Sequence, residues 1–352
     1  GGGQPAASDP PLSGPSPDVL AEILERLEVR GGEAPPPAVW LEEVDDPTAG
    51  PGEVLLAVAA TGVNFADSLM VTGRYQERPP LPFVPGLEVA GRIVALGDGV
   101  ADLAPGQRVL AMLDRGGFAE RDVARAADVV PLPDDLDDVT AAGFAIAYGT
   151  ALGALDWRAA LQPGETLLVH GAAGGVGLTA VEVGKAMGGR VVATARGAER
   201  LAVARAHGAD EALDSERPDL VQALRGIVGR SGFDVVFDPV GGALFDASLR
   251  TIAWSGRIVL VGFASGTVPQ IPANILLVKN AAALGFYWGS YRKHDPARLR
   301  QGFARLFAWH REGRLRPHVS DVLPLERTPD AIGLLRARRS TGKVVVSMVR
   351  TG

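Results

Sequence analysis

The segment from Glu165 to Thr194, ETLLVHGAAGGVGLTAVEVGKAMGGRVVAT, constrains the fold of this chain more than any other. A short apolar run ends at His170, a glycine-rich turn covers Gly171 to Gly177, and helix-forming residues lead to a β-branched run at Arg190 to Thr194. This order predicts a strand, a turn, a helix and a second strand. In such a unit the glycines let the backbone approach a pyrophosphate, and the free N–H groups at the start of the helix bind it.

The turn has the spacing A-x-G-x-x-G at Ala172, Gly174 and Gly177, so an alanine replaces the first glycine of the usual dinucleotide fingerprint. Glycines at the entry to a helix can also serve packing alone, and the hexapeptide by itself does not separate the two roles. Its position between a strand and a helix favours dinucleotide binding. The predicted pyrophosphate contacts are the turn residues Ala173, Gly174, Gly175, Val176 and Gly177.

The residues after the second strand predict which dinucleotide is bound. An acidic residue there would bind a ribose 2′-hydroxyl, but the sequence is Thr194, Ala195, Arg196 and Gly197, with Arg200 close behind. Guanidinium groups offer paired donors to the oxygens of a 2′-phosphate. The pattern therefore favours NADP over NAD, with solvated surface charge as the alternative role of the two arginines.

Composition excludes several classes of site. The 352 residues contain no cysteine, which rules out disulfides, thiolate zinc sites, iron–sulfur clusters and a cysteine nucleophile. An apolar share of 47%, a charged share of 22% and a net charge of −6 are those of a soluble globular protein, with no nucleic acid or membrane expected as partner. With neither a bilayer-length apolar run nor a signal-peptide pattern, the expected location is the cytoplasm.

The rest of the chain predicts two kinds of architecture. Residues 1–18 are rich in glycine, proline and serine and are expected to form a flexible leader. Short strands and turns dominate up to about residue 140, including two predicted strands between Val19 and Val44, the first of which could equally be one or two turns of helix. Strands then alternate with helices, which predicts a doubly wound parallel α/β sheet covered on both faces. A helix, a strand, a helix and a last strand follow from about Asp295.

Segments spread over nearly the whole chain resemble one protein family. They are GPGEVLLAV, GVNFADSLMVTGRY, LPFVPGLEVAGRIVALGDGV, GQRVLAM, GGFAE, AYGTAL, VHGAAGGVG, DVVFDPVGG and GKVVVSMV, in this order. The chain is similar to the medium-chain dehydrogenase/reductases, and among them to the zinc-independent quinone oxidoreductases of the zeta-crystallin type. The resemblance implies an NADP-binding Rossmann domain over residues 141–289 and a GroES-like catalytic domain formed from residues 19–140 and 290–352.

The chain departs from the zinc-using members of this family at two positions. Those members carry a cysteine where this chain has Asn64 and a histidine where it has Leu87, and their four-cysteine structural lobe is absent here. We therefore expect no zinc. Since nothing would lower the pKa of a bound alcohol, the resemblance implies a different reaction, in which NADPH reduces a quinone or a related α,β-unsaturated carbonyl compound.

The resemblance implies four residues around the nicotinamide and the acceptor: Asn64, Asp67, Tyr75 and Thr150. Asn64 has turn formation as its alternative role, and Thr150 has backbone capping. The Tyr75 phenol is protonated at neutral pH, so it can hydrogen-bond the acceptor oxygen or donate a proton to it. For a quinone substrate, an aromatic lid over the cofactor ring is the slightly better role for Tyr75.

The resemblance also implies further cofactor contacts. Lys185 joins Arg200 near the 2′-phosphate or the adenine, with surface salt bridging as the alternative. The remaining implied contacts to the nicotinamide, the cleft and the phosphates are Val261, Gly262, Phe263, Phe286, Tyr287, Trp288, Arg338 and Lys343. The three aromatic residues could instead belong to the core, and His170 is expected to be a strand-end residue rather than a base.

Three functions remain open at this stage. The first is an NADPH-dependent, metal-free reductase of quinones or enones, acting as a homodimer because the predicted strand AAALGF would otherwise be an exposed sheet edge. The second is an enoyl-thioester reductase, to which the position of Tyr75 is also suited. The third is an NADPH-binding structural or RNA-binding protein with little turnover, which the acidic net charge disfavours.

Overall fold

The structure, a computed structural model, describes residues 39–348. The expected leader at residues 1–18 and the first strand predicted after it lie outside this range. The second predicted strand, which ends at Val44, does not form, since residues 39–50 contain no strand and Trp40, Leu41 and Val44 are exposed. That prediction was wrong. A strand needs a neighbour for its backbone hydrogen bonds, and the structure pairs this segment with no other strand among the described residues.

The described residues form two sheets and the helices around them. The strands are β1 Glu53–Val63, β2 Glu88–Leu96, β3 Arg108–Met112, β4 Arg121–Arg125, β5 Val129–Pro131, β6 Thr166–Val169, β7 Arg190–Ala195, β8 Glu211–Asp214, β9 Phe233–Asp238, β10 Ile252–Leu260, β11 Ala282–Gly285, β12 Val319–Pro324 and β13 Lys343–Ser347. The α-helices are α1 Phe65–Val71, α2 Asp138–Ala142, α3 Ala145–Leu152, α4 Gly175–Ala186, α5 Ala198–Ala206, α6 Leu220–Val228, α7 Ala243–Thr251, α8 Ala273–Lys279, α9 Tyr291–His294, α10 Pro296–Arg311 and α11 Thr328–Arg336.

One sheet combines strands from both halves of the chain. Its order is β12-β13-β1-β2-β3-β5, and β4 pairs with β1. Along β1, Val54, Leu56, Val58 and Ala60 are buried while the residues between them are partly exposed, as expected of an antiparallel strand with one face on the core. The last strand, β13, pairs with β1 near its end, from Ala60 to Val63. Residues far apart in sequence therefore meet at the carboxyl end of β1.

The second sheet is parallel, with the order β11-β10-β9-β6-β7-β8. This is the doubly wound order, in which the chain starts in the middle and winds outward in both directions. Leu167 and Val169 of β6 belong to one apolar cluster and Leu168 to another on the opposite face. Both faces are thus covered, which explains why the strands are apolar throughout. The predicted α/β fold with a β-rich second domain is confirmed.

The longest helix, α10, joins the two parts of the core. Its residues Leu299, Phe303, Leu306 and Phe307 are buried at helical spacing and belong to the same apolar cluster as α3 and β6. None of the helices within residues 39–348 combines the length and apolarity that a bilayer crossing needs. Helices α2, α3 and α10 pack between the two sheets, so one apolar cluster contains residues from both sides of the predicted boundaries. The domain boundaries near residues 140 and 290 therefore remain a prediction.

Candidate cofactor site and active site

The glycine-rich turn has the geometry of a phosphate site. β6 ends at Val169, and α4 begins at Gly175 with Gly174 as its N-cap. A Cβ atom on Gly177 would lie 2.1 Å from the Gly171 carbonyl oxygen, so only glycine lets the helix start this close to the turn. In front of Gly174 the space is open, since a Cβ there would meet only that same oxygen, at 3.4 Å. The first N–H groups of α4 have no partner within the helix, and this arrangement fits a pyrophosphate.

Three of the predicted arginines lie on one rim of this edge. Arg196 follows β7 and pairs with Glu216 at 2.8 Å, with about half of its side chain exposed. The Arg200 guanidinium donates a hydrogen bond to the backbone carbonyl of Arg338, and Arg338 Nη2 donates to the Ala264 carbonyl at 2.8 Å. Arg200 and Arg338 form no ion pair with a carboxylate of residues 39–348. Their guanidinium groups can therefore bind a 2′-phosphate without first breaking an ion pair.

Lys185 lies elsewhere, which corrects the predicted phosphate contact. Its Nζ is 2.9 Å from both carboxylate oxygens of Asp210. Asp210 also accepts a hydrogen bond from the backbone N–H of Val191, at the start of β7. This pair is at the amino edge of the parallel sheet, whereas dinucleotides bind at the carboxyl edge. The alternative role, a surface salt bridge, is the one that the structure shows.

Residues 261–263, which are predicted to contact the nicotinamide, lie at the carboxyl edge of the parallel sheet, next to the end of β9. The N–H of Val261 donates to the carbonyl of Asp238 at 2.9 Å. A Cβ atom on Gly262 would come within 3.4 Å of the Pro239 carbonyl, and Phe263 lies against Gly241. Thr150 is buried in α3, with 5% of its surface exposed. The segment 261–263 is therefore at the edge where the cofactor is expected, although its relation to a bound ring remains a prediction.

Of the three consecutive aromatic residues 286–288, two are buried in the core and one is exposed. Phe286 and Trp288 are each 6% exposed, and both pack against α3 and its continuation through Gly149 and Gly153. Tyr287, between them, is 41% exposed. In an extended segment consecutive side chains point to opposite sides. The predicted cofactor contacts of Phe286 and Trp288 are therefore corrected to core packing, and only Tyr287 faces the solvent side.

A buried polar cluster lies where β1, β2 and β13 meet. Lys343 Nζ donates to the Val63 carbonyl at 3.0 Å, to Asn64 Oδ1 at 2.8 Å and to Glu88 Oε1 at 2.8 Å. The Asn64 amide in turn donates to Glu88 Oε1 at 2.9 Å, while Glu88 Oε2 accepts from the Ile146 N–H at 2.9 Å. Burying a carboxylate is costly unless a cation and hydrogen bonds compensate it. For Glu88 the cation is the Lys343 ammonium, and the hydrogen bonds come from Asn64 and from the N–H of Ile146.

The ammonium of Lys343 is therefore directed away from the predicted phosphate position, and this differs from the expectation. Its three hydrogens are all engaged in the cluster. Its aliphatic stem, by contrast, does pass the glycine turn, since Cβ atoms on Gly143 and Gly175 would lie 3.1 Å and 3.3 Å from it. The preceding residue, Gly342, donates its N–H to the Ala173 carbonyl at 2.8 Å. Residues 342–343 thus connect the turn with the polar cluster.

Asp67 is the acidic group of this region with a displaced pKa. It is fully buried, its Oδ2 accepts from the Asn64 N–H at 2.7 Å, and its Oδ1 has no hydrogen-bond partner. Burial raises the pKa of Asp67 to about 7, against the lowering effects of the Asn64 hydrogen bond and the Lys343 charge. Near neutral pH this carboxyl can therefore hold a proton or release one.

Tyr75 lies beside the cluster, half-buried on the segment that follows α1. Burial, and after it the neighbouring phenol of Tyr287, raises the pKa of Tyr75 well above its usual value. The phenol therefore stays protonated over the whole neutral range and can act as a donor. Asp67 is also close enough to contribute to this raised pKa. The structure brings three of the predicted catalytic candidates, Asn64, Asp67 and Tyr75, to one place.

Two site residues escaped the sequence prediction. Glu88 lies inside the apolar run VPGLEVAG, and a carboxylate in such a run is a signal for a buried ion pair. Glu77, which accepts a hydrogen bond from the Tyr287 hydroxyl at 2.9 Å, is exposed, and no feature of the sequence indicated this contact. His170 is the strand-end residue that we expected, buried with its ring nitrogens 2.7 Å from Thr194 Oγ1 and 2.8 Å from Ser248 Oγ.

A zinc ion does not fit these residues. Asn64 and Leu87 provide neither a thiolate nor an imidazole, and the Lys343 ammonium already holds the Asn64 and Glu88 oxygens. Throughout residues 39–348 no group of three histidine, cysteine, aspartate or glutamate side chains is arranged to hold a metal.

Comparison with known proteins identifies the family. The family model of the alcohol dehydrogenase GroES-like domain matches residues 50–134, and that of the zinc-binding dehydrogenases matches residues 175–308. A quinone oxidoreductase-like protein 2 homolog of Nematostella vectensis is 40% identical over 313 residues, which are 88% of this chain and 86% of that protein.

Solved structures agree with this result. The quinone oxidoreductase of Thermus thermophilus, also determined in complex with NADPH, is 38% identical with a TM-score of 0.76, over 88% of this chain and 95% of that one. The CurK enoyl reductase is 26% identical with a TM-score of 0.79, over 88% and 94% of the two chains. This chain thus belongs to the medium-chain dehydrogenase/reductase family, as an oxidoreductase related to the quinone oxidoreductases.

Proposed function

We propose that this protein is an NADPH-dependent reductase of quinones or related α,β-unsaturated carbonyl compounds and works without a metal. One observation carries the proposal: the open turn and the rim of arginines at the carboxyl edge of the parallel sheet are connected, through residues 342–343, with the cluster that holds Asn64 and Asp67 and lies next to Tyr75. The named quinone oxidoreductases support the acceptor class, and the NADPH complex of the Thermus protein supports the cofactor.

In this proposal each group has a definite task. NADPH, when bound, supplies a hydride, and the chain supplies orientation, exclusion of water and a proton. The turn residues 173–177 bind the pyrophosphate, while Arg196, Arg200 and Arg338 bind the 2′-phosphate. Tyr75 donates a hydrogen bond or a proton to the acceptor oxygen, where negative charge develops. Asp67 and Asn64, which are buried and hydrogen-bonded to each other, form the base of the acceptor site.

The metal-free part of the proposal rests on the chemistry of the side chains. Quinones and enones are already electron-poor, so a hydrogen-bond donor suffices where an alcohol would need a Lewis acid. We expect chelation with EDTA to leave the activity unchanged. Loss of activity with EDTA that zinc restores would contradict this part.

We further propose that the protein acts as a homodimer through β11 and α8. Within the described residues β11 pairs only with β10, so one of its edges is free. Trp254 of the neighbouring strand β10 and Leu277 and Val278 of α8 are 73%, 77% and 74% exposed. A second copy related by a two-fold axis would cover both the edge and these apolar side chains. Sedimentation analysis of the wild-type protein and of Leu277→Asp tests this arrangement.

The function is tested with purified protein and a panel of acceptors. We expect tighter binding of NADPH than of NADH, and steady NADPH oxidation with naphthoquinone or phenanthrenequinone. An absence of measurable affinity for NADPH would overturn the proposal as a whole.

A second candidate is an enoyl-thioester reductase, favoured by the donor position of Tyr75 and by the similarity to CurK enoyl reductase. Faster turnover with crotonyl-CoA than with either quinone would establish it instead. The third, an NADPH-binding structural or RNA-binding protein, would bind the cofactor but turn over none of these acceptors. The net charge of −6 does not favour RNA.

A further inference from the structure

We propose that Glu216 determines how strongly this protein selects NADPH over NADH, because its carboxylate occupies an arginine that the 2′-phosphate would need. This inference rests on the proposed function and deepens it. In the proposed function Arg196, Arg200 and Arg338 bind the 2′-phosphate, and Glu216 competes with that phosphate for the first of them. Glu216 was not among the predicted cofactor contacts.

The three arginines differ in what they already bind. Arg196 Nη2 lies 2.8 Å from Glu216 Oε1, and 52% and 59% of the two side chains are exposed. Arg200 and Arg338 donate instead to the backbone carbonyls of Arg338 and Ala264. A guanidinium presents the same Nη donors to a carboxylate and to a phosphate. Arg196 can therefore bind a 2′-phosphate with all of its donors only after its contact with Glu216 is broken.

The backbone holds Glu216 beside the end of β7. β8 ends at Asp214, and the N–H of the next residue, Ser215, donates to the Ala195 carbonyl at 3.0 Å. The Asp214 carboxylate then accepts from two loops, at Oδ1 from the Glu216 N–H at 2.9 Å and at Oδ2 from the Gly197 N–H at 3.2 Å. These contacts join the loops after β7 and β8 on both sides of the ion pair. The position of the Glu216 carboxylate is thus set by its loop and not by its side chain alone.

The space beside this ion pair has room for a phosphate. α5 begins at Ala198 with Gly197 as its N-cap, and no side chain caps the helix. Beyond its chain neighbours, a Cβ atom on Gly197 would meet no atom of the described residues within 4 Å. The first N–H groups of a helix favour an anion, and Arg200 lies in the same first turn. A phosphate bound there would share Arg196 with Glu216 and lie next to the negative charge of that carboxylate.

The charges predict the direction and the size of the effect. NADH has no 2′-phosphate, so its binding leaves the pair of Arg196 and Glu216 intact, whereas NADPH has to displace Glu216. An exposed ion pair changes an equilibrium by at most about fivefold. Repulsion between the Glu216 carboxylate and the phosphate acts in the same direction. Both effects weaken the binding of NADPH alone, so Glu216 limits the preference that the arginines create.

The test compares the affinities of Glu216→Gln for the two dinucleotides by fluorescence titration at low salt. Glutamine keeps the size of the side chain and removes its charge. We expect the Kd for NADPH to fall about fivefold and the Kd for NADH to change less than about twofold. Glu211→Gln is the matched control, because Glu211 pairs with Arg190 at 3.7 Å and is 48% exposed, but at the opposite end of the same two strands. It should change neither Kd.

A second background tests whether Glu216 acts through Arg196. In Arg196→Gln the contested donor is absent, so adding Glu216→Gln should improve NADPH binding only about twofold, through the remaining repulsion. A full fivefold gain in this background would overturn the competition for Arg196. An unchanged Kd for NADPH in Glu216→Gln, or an equal gain for NADH, would overturn the inference while both dinucleotides still bind. Failure of the wild type to bind NADPH would refute the proposed function itself, and the inference with it.

Discussion

The two ends of the proposed cofactor and acceptor site are built in different ways. The phosphate end consists of backbone from one continuous segment, in which Gly171, Gly174 and Gly177 bring a strand end and a helix start together. The acceptor end consists of side chains from separate segments, since Asn64 precedes α1, Glu88 lies in β2 and Lys343 lies in β13, and Lys343 reaches Asn64 across 279 positions. A backbone site depends on local sequence, whereas a side-chain site depends on the whole fold.

The largest expected effect is on the free energy of unfolding, and the replacement of Lys343 by methionine at the acceptor end tests it. The buried Glu88 carboxylate would lose its cation, so we expect the free energy of unfolding to fall by about 3–5 kcal/mol. Lys185→Met removes the exposed Asp210 pair and serves as the control, with an expected loss of about 0–1 kcal/mol. Urea unfolding measures both. Similar losses in the two variants would show that the acceptor-end cluster is no more important to the fold than a surface pair.

The second contrast concerns chemistry at the acceptor end. Tyr75→Phe removes the hydroxyl but keeps the ring, and we expect enone reduction to fall about a hundredfold because a general acid is lost. Quinone reduction should fall much less, and the affinity for NADPH should not change, since the phosphate end is untouched. Steady-state kinetics with both acceptors measures the difference. Equal losses for the two acceptors would mean that Tyr75 is a lid and that its hydroxyl is not the proton source.

A third effect of the side-chain site is pH dependence. Asp67 has a pKa of about 7 in the folded protein, against an ordinary value of 3.8, so the folded state keeps a proton that the unfolded state releases. The contribution of Asp67 to the free energy of unfolding therefore falls as pH rises from about 4 to about 7. Asp67→Asn has no such proton, and between pH 5 and 7 its stability relative to the wild type should improve by about 2 kcal/mol. A constant difference across this range would show that Asp67 is ionised in the folded protein.

The smallest of these effects concerns the phosphate end. Arg196→Asp combined with Arg200→Ala should erase the preference for NADPH over NADH, a change of about tenfold in the ratio of dissociation constants. Lys185→Ala should leave that ratio unchanged, because its ammonium lies at the opposite edge of the sheet. Cofactor titrations followed by fluorescence give both values. If the double variant kept the preference, some other group would have to bind the 2′-phosphate.

The same contrast explains what the sequence could predict. The strand–turn–helix unit around Gly174 is local, and its strand, turn and helix appeared where they were expected. Lys185 was misplaced because a helix of 12 residues carries its last turn far from the phosphate, at about 1.5 Å of rise per residue. Phe286 and Trp288 were misplaced because alternation along an extended segment decides which side faces a cleft. The partner of Glu88 lies 255 positions away, and no local pattern encodes such a pair.

The contact of Gly342 with the glycine turn has a consequence for biosynthesis. A ribosome-bound chain that ends before this residue already contains every strand of the parallel sheet and all the glycines of the turn. It still lacks the β-bridge that joins Gly174 to Gly342 and the ammonium that neutralises Glu88. The buried Glu88 carboxylate of the nascent protein would thus have no cation until β13 is added, so the polar cluster around Asn64 would form later than the glycine turn.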